Sequence, residues 1–498
     1  MKKSFFNKQW PLCAAMALSL PFLTAACSDD DETTAPTERH WTTDGGLRAT
    51  DDILFENNTL GNGDKEIVFT GKQTLKKGTY TLKGWVYVAA GAELTIEPGT
   101  VIKGDKLTKS ALIVERGGKL FAQGTAQQPI VFTSGEAKGQ RKPGDWGGLI
   151  ICGKAPNNAL DQQIEGGPRA HHGGSDAQDN SGVLSYVRIE FAGYPFETDK
   201  EINGLTLGSV GSGTQIDHVQ VSYSNDDSYE WFGGTVNCKY LVAFNGWDDD
   251  FDTDNVFSGN LQFGLPVRDP RIADKSKSNG FESDNDANGS TASPFTSATF
   301  SNITFVGPKA VASDFVNTTD YINAGSYFPN NGSGLGKFQS AMQIRRGSRL
   351  NCHNSLAVGW PIGLIIDGEK GDTPSQAEAG TLKLRNLWFA DMDITGSDAN
   401  KSYDDVKSDG TAPSNSTRLF QLWGNHSVSA AELLLTGKNT LTGLSANFMP
   451  AVGSPLCTGA DFTGLDSWFT KVSYAGAFGP SDNWLTGWTN FDPNHTDY

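Results

Sequence analysis

The chain repeats itself: a short strand-like unit, apolar and polar by turns, returns again and again at similar spacing. The run Val88 to Leu94 is echoed by Val114 to Leu120. Leu184 to Phe191 returns as Ile216 to Tyr223, and one further shift matches Val219 and Val221 with Leu241 and Ala243. Weaker copies follow at Ser301 to Phe305 and Arg385 to Phe389. Each copy alternates with period two and is bounded by Gly, Asn or Asp, as a strand with one buried face would be. One such unit cannot bury its apolar face alone, but stacked units bury a continuous column. The pattern therefore predicts an all-β chain, a β-solenoid, with residues 154–181 and 265–280 as loops on its outside. A β-sandwich would turn more often and would seldom repeat its inward residues in order.

Four segments follow from this reading: 1–26 a leader, 27–52 an acidic tether, 53–435 the solenoid, and 436–498 the last coils with a C-terminal cap. A solenoid end exposes apolar core and unpaired strand edges. The aromatic cluster Trp468, Phe469, Phe478, Trp484, Trp488 and Phe491 is expected to cover one. Helical sequence is hard to find: the best candidate, Ser429 to Leu435, is short and opens with a capping box of Ser429 and Glu432.

At the N-terminus Lys2, Lys3 and Lys8 precede an apolar stretch from Leu12 to Leu23. That stretch suits a secretory signal and is too short to span a bilayer. Ala25 and Ala26 before Cys27 resemble a bacterial lipobox, although Thr24 stands where an aliphatic residue is usual. Cys27 is the expected lipid-bearing residue. The run Ser28, Asp29, Asp30, Asp31 and Glu32 resembles the surface-export signal of Bacteroidota lipoproteins, so the chain is expected on the outer membrane, anchored and facing outward. The formal charge of −17 repels phosphate backbones and argues against a nucleic-acid partner. Cys152, Cys238, Cys352 and Cys457 lie far apart, some in apolar runs, and read as buried thiols, with one disulfide left open.

Three further strings carry a family resemblance: Gly144 to Leu149, Asp179 to Arg188, and Gly487 to Phe491. They resemble envelope proteins of Bacteroidota and gammaproteobacteria that form right-handed parallel β-helices with a pectin-lyase-like fold. The resemblance spans roughly residues 65 to 491. It implies that fold and, because some members accompany TonB-dependent nutrient receptors, a role in uptake or capture.

The densest chemistry is acidic. Asp250, Asp252 and Asp254 follow a strand-like run, and matching carboxylate to carboxylate sets Glu282, Asp284 and Asp286 against them one coil later. One coil earlier, Asp226, Asp227 and Glu230 match Asp248, Asp249 and Asp252. If the coils stack, these carboxylates form neighbouring rows, and crowded like charges invite a cation. Hard oxygen donors in this number suit Ca²⁺, so Asp250, Asp252, Asp254, Glu282, Asp284 and Asp286 are the candidate metal ligands. A solvated acidic face is the plainer alternative. The arginines of the run Arg345-Arg346-Gly347-Ser348-Arg349 are expected to pair with this wall. His171 and His172, adjacent on a strand, would point to opposite faces and make a poor metal pair. Gly148 to Lys154 has P-loop spacing, but Ala155 replaces the Mg²⁺-binding hydroxyl. No nucleophile elbow and no His-Glu-x-x-His motif occurs. Three functions stay open: a surface binding lipoprotein for a glycan, peptide or ion; a polysaccharide lyase or hydrolase; and an adhesin or structural surface protein.

Overall fold

A computed structural model describes residues 47–49, 58–63, 67–159, 161–165, 169–197, 200–291, 293–436 and 448–498. Cys27, the run Ser28 to Glu32 and most of the tether lie outside the described residues. No helix among the described residues is long and apolar enough to cross a membrane.

The strands stack as the repeats require. One parallel sheet has nine strands, among them Trp85–Val88, Ala111–Val114, Gly148–Cys152, Leu205–Val210, Tyr229–Gly234, Phe251–Asp254 and Phe281–Ser283. A second has seventeen, including Gly182–Glu190, Gln215–Ser222, Asn237–Phe244, Asn260–Val267 and Thr299–Val306. Registers match the repeats read from sequence. Val88 lies beside Val114 and Leu94 beside Leu120. Val187 pairs with Val219, and Val219 with Leu241. The inward rows, such as Leu205, Tyr229, Phe251 and Phe281, are fully buried. Each such side chain contributes about 1.5–3 kcal/mol on leaving water.

The long strands of the second sheet bend at one residue each, always in the left-handed region: Tyr186 (φ 52°), His218 (50°), Tyr240 (58°), Phe263 (62°) and Asn302 (59°). These residues occupy equivalent places on successive coils and make one corner of the solenoid. Non-glycine residues reach this conformation at a cost of about 1–2 kcal/mol. Stacking offsets it: ring centroids are 4.3 Å apart for Tyr186 and His218, 4.5 Å for His218 and Tyr240, and 5.0 Å for Tyr240 and Phe263.

The C-terminal segment corrects the expectation of an aromatic cap. Residues 448–498 run along the flank of the solenoid, across the corner just described. Gln220 grips Asn490 with both ends of its amide: Nε2 donates to the Asn490 carbonyl (2.7 Å) and Oε1 accepts from its N–H (2.8 Å). Gln262 does the same with Thr470 at 2.8 Å each way, and Asn354 with Asp461 at 3.0 and 2.8 Å. The last residue, Tyr498, donates to the buried Glu190 (2.7 Å). Trp488 meets His218 edge-on at 5.6 Å. The cover over the C-terminal core is instead the helix Asn415–Leu422, unforeseen in the sequence, whose Leu419 and Phe420 are buried. Ser414 caps it by accepting from Thr417 N–H, and Phe420 stacks on Phe389 at 4.3 Å. At Ser429 the expected capping box forms, on a short 3-10 turn, Ala430–Leu433.

Gln262→Ala should loosen this strap without opening the core. The expected cost is about 1–3 kcal/mol, because the Thr470 backbone loses both partners. Limited proteolysis should then cut near residue 470 faster than in the wild type. An unchanged cleavage rate would mean that these bonds do not hold the strap.

The four described cysteines are unbridged; Cys152, Cys238 and Cys352 are buried, as expected, while Cys457 is only partly buried. Burial pushes the thiols of Cys238 and Cys352 up to about 12. Gly148–Cys152 is a fully buried strand, so its P-loop spacing is a coincidence.

Candidate functional site

Because side chains alternate along a strand, the residues between the buried rows of the nine-stranded sheet point outward. On three successive coils these are Glu230, Asp252 and Glu282, paired directly in register. Adjacent strands lie about 4.8 Å apart, so the carboxylates stand side by side. The turns entering these strands add Asp226, Asp227, Asp248 and Asp249. The Asp249 N–H donates to the Asp227 carboxylate (2.8 Å), which stitches the two turns together.

Three groups of carboxylates converge: Asp226 with Asp227 and Asp248; Asp227 with Glu230 and Asp252; Asp249 with Asp252 and Glu282. In each group one oxygen per residue lies within 4.8 Å of the others. Asp227 and Asp252 each belong to two groups. Burial, reinforced by neighbouring carboxylates, raises Asp227, Glu230 and Asp252 well above the ordinary carboxylate range. Burial lifts Asp249 to about 6, against the pull of hydrogen bonds from Asn279 and the charges of Arg268 and Arg345.

Unpartnered polar atoms lie at this convergence, Asp248 Oδ1 in the first group among them. Asp252 Oδ1 is buried without a hydrogen-bond partner. Bonds from Gly280 N–H to the Ser340 carbonyl (3.0 Å) and from Arg345 N–H to the Ser283 carbonyl (2.9 Å) carry the ladder on to Ser340–Ile344. That register puts Gln343 next in the row after Glu282. Gln343 is fully buried, and neither its amide oxygen nor its nitrogen has a partner. Buried polar groups left so cost free energy. An all-oxygen donor set suits a hard divalent cation.

The six sequence-predicted ligands separate. Asp252 and Glu282 sit in the cluster. Asp250 instead points inward and pairs with Arg268 at 2.9 Å, both side chains fully buried. Asp284 is taken by Arg345 (2.8 Å) and Arg346 (2.7 Å). Asp286 closes its own turn on Ser290 and the Asn288 N–H. Asp254 stands outside the three groups and accepts from the Asn255 N–H at 2.6 Å. The error is one of register: Asp252 faces Glu282, where matching carboxylate to carboxylate sets it against Asp284. The inward phenylalanines, Phe251 on Phe281, carry the true register. Arg345 also pairs with Glu282, so Arg345 and Arg346 meet the acidic wall as expected, whereas Arg349 turns to Asp372. Burial opposes the charge on Arg345, but Glu282 and Asp284 outweigh it and hold the guanidinium protonated. A hollow of about 430 Å³ opens beside the cluster, lined by Asp226, Asp248, Lys275, Ser333, Arg345 and Arg346 among others.

The family model of the pectate-lyase-like β-helix domain matches residues 67–426. The chain belongs to that family. Among solved structures, this β-helix is similar to the pectate lyase Pel9A, with 12% identity over 83% of this chain and 88% of that one, TM-score 0.33. It is also similar to the Dettilon tailspike protein, with 9% identity over 74% of this chain and 63% of that one, TM-score 0.27. A comparison with curated proteins returned no match.

His171 and His172 lie in the 154–181 insertion, on a two-residue strand paired with Gln162–Gln163. As expected they face apart: His171 lies 3.5 Å from Asp161, while His172 is fully buried and its Nδ1 meets Ser209 Oγ at 2.8 Å. Burial lowers His172 from 6.5 to about 3, and His353 to about 4. Both are neutral in the folded protein where the unfolded chain would be protonated. Their contribution is intact above pH 6.5 and is lost as the pH falls towards about 4 and 3. His172→Phe should therefore make the urea midpoint less sensitive to pH between 6.5 and 4. An unchanged slope would mean that His172 titrates normally.

Proposed function

We propose that this pectate-lyase-like β-helix is a lipid-anchored surface protein that captures an extracellular ligand through a divalent cation, calcium foremost, held by its acidic row. The observation that carries the reading is the convergence of Asp227, Glu230, Asp249, Asp252 and Glu282, with Asp252 Oδ1 and the Gln343 amide left without partners. Calcium takes six to eight oxygens in flexible geometry, whereas magnesium demands a smaller and more regular shell. A cation there would leave positions open to ligand oxygens, which a glycan hydroxyl or a glycan or peptide carboxylate supplies. Cys27 would carry the lipid, the acidic run after it would direct the chain outward, and a TonB-dependent receptor would be the natural partner.

A second reading, polysaccharide lyase or hydrolase, draws on family membership and on Arg345 beside the acidic row. Elimination needs a base that can accept a proton. Arg345, clamped by Glu282 and Asp284, is held protonated, which favours capture.

The test is a glycan and peptide array probed with calcium and with chelator. Binding should require calcium and should fail in Asp252→Asn. Calcium-independent binding would sink the reading. Release of an ultraviolet-absorbing unsaturated sugar would establish elimination in its place.

A further inference from the structure

The first coils carry the opposite charge from the rest of the chain. Residues 67–142 hold twelve Lys and Arg against five Asp and Glu, in a chain of net charge −17. Several of these cations face one place. The corner between Val101–Gly104 and Ala111–Val114 projects Leu107, whose 90% exposure exceeds that of every other large apolar side chain among the described residues. One exposed leucine needs no explanation by itself. This one is held out rigidly: Thr108 N–H donates to Asp105 Oδ1 (2.9 Å), and Thr108 Oγ1 accepts from the Gly84 N–H (2.9 Å). Lys106 and Lys109 flank it. Beside it lies a hollow of about 690 Å³ lined by Lys106, Lys109, Lys142, Glu136, Tyr194 and Asn330 among others. Lys106 pairs with Asp145 at 2.8 Å yet keeps 39% of its side chain exposed. Lys109 lies over the Tyr194 ring at 4.7 Å, and Lys142 donates to the Phe328 carbonyl at 3.0 Å. Those two partners are neutral, so the three lysines outnumber the two carboxylates at this place, Asp145 and Glu136.

We infer that this basic end docks on a phosphate-bearing membrane surface, with Leu107 entering the headgroup layer and Lys106, Lys109 and Lys142 lying against phosphates. Exposed apolar side chains ringed by lysine suit that boundary. Attraction to an anionic surface is worth about fivefold in affinity per lysine. A soluble anion would use the charges and leave Leu107 idle, so the pairing of the two favours a membrane. The remaining coils, strongly acidic, would be repelled from the same surface, which turns the acidic row outward. Docking does not depend on the capture reading or on the lipid.

The test is sedimentation of the full chain with vesicles of phosphatidylglycerol and phosphatidylcholine, or of phosphatidylcholine alone. The leader is common to all forms, so differences between variants report the patch. Wild type should bind the anionic vesicles in a salt-sensitive way, at least tenfold more tightly than Lys106→Gln/Lys109→Gln/Lys142→Gln. Lys109→Gln/Lys142→Gln, which keeps the ion pair to Asp145, should lose at least threefold, and Leu107→Asp should also weaken binding. Equal binding by wild type and triple variant, or equal binding to neutral vesicles, would overturn the proposal. So would displacement by inorganic phosphate at constant ionic strength, which would make the hollow a soluble-anion site.

Discussion

Arg268→Met is expected to destabilise the protein by about 3–5 kcal/mol, the usual loss when one partner of a buried ion pair is removed. Arg268 and Asp250 are both fully buried, 2.9 Å apart. The same guanidinium donates to the carbonyls of Asp248 (2.6 Å) and Trp247 (3.3 Å), which pins the turn carrying Asp248 and Asp249 into the acidic cluster. Burial already raises Asp250 to about 7 against the pull of Arg268, so without the arginine it would take up a proton at neutral pH. Chemical denaturation should show the loss, and Arg268→Met/Asp250→Leu should recover part of it, because no charge is then left in the core. A double variant as weak as the single would assign the loss to the backbone bonds instead of the pair.

Val219→Asp should cost as much, since it places an unpaired charge in a fully buried row between Val187 and Leu241. The neighbouring position departs from simple alternation. A strand pattern makes Gln220 outward-facing and cheap to change, yet it is fully buried under the strap and bound to Asn490 at both ends of its amide. Gln220→Asp should therefore cost about 1–3 kcal/mol, less than Val219→Asp but well above a surface change. Urea midpoints of the two variants give the order. A Gln220→Asp protein as stable as wild type would mean that the strap is not seated in solution.

The coil spacing was legible because inward residues repeat: Val187, Val219 and Leu241 mark one column, Val88 and Val114 another. The acidic row was legible in kind and misplaced in detail. Matching carboxylates to carboxylates ignores what packs inside, and it is there, with Phe251 on Phe281, that the register is set. Asp250 was lost to Arg268 for the same reason: nothing local reveals that this aspartate turns inward to a residue just past the end of the next strand. The strap was illegible for a different cause. Its partners, Gln220, Gln262 and Asn354, lie far off in the chain, and a side-chain amide gripping a distant backbone leaves no period in the sequence. The helix Asn415–Leu422 hid because it replaces a strand at the end of the stack, where the repeat stops.

Calcium binding by metal-free protein, followed by calorimetry and by the melting temperature, tests the central claim most directly. The acidic row should take up at least one ion, and melting should rise with calcium, by about 2.7 kcal/mol of stabilisation at a hundred times the dissociation constant. Magnesium should substitute poorly. Asp252→Asn, which touches two of the three carboxylate groups at once, should abolish the heat of binding and the rise in melting while the protein stays folded. Protein stripped of metal that shows neither heat nor a shift with calcium would contradict the account and leave the row a crowded acidic face.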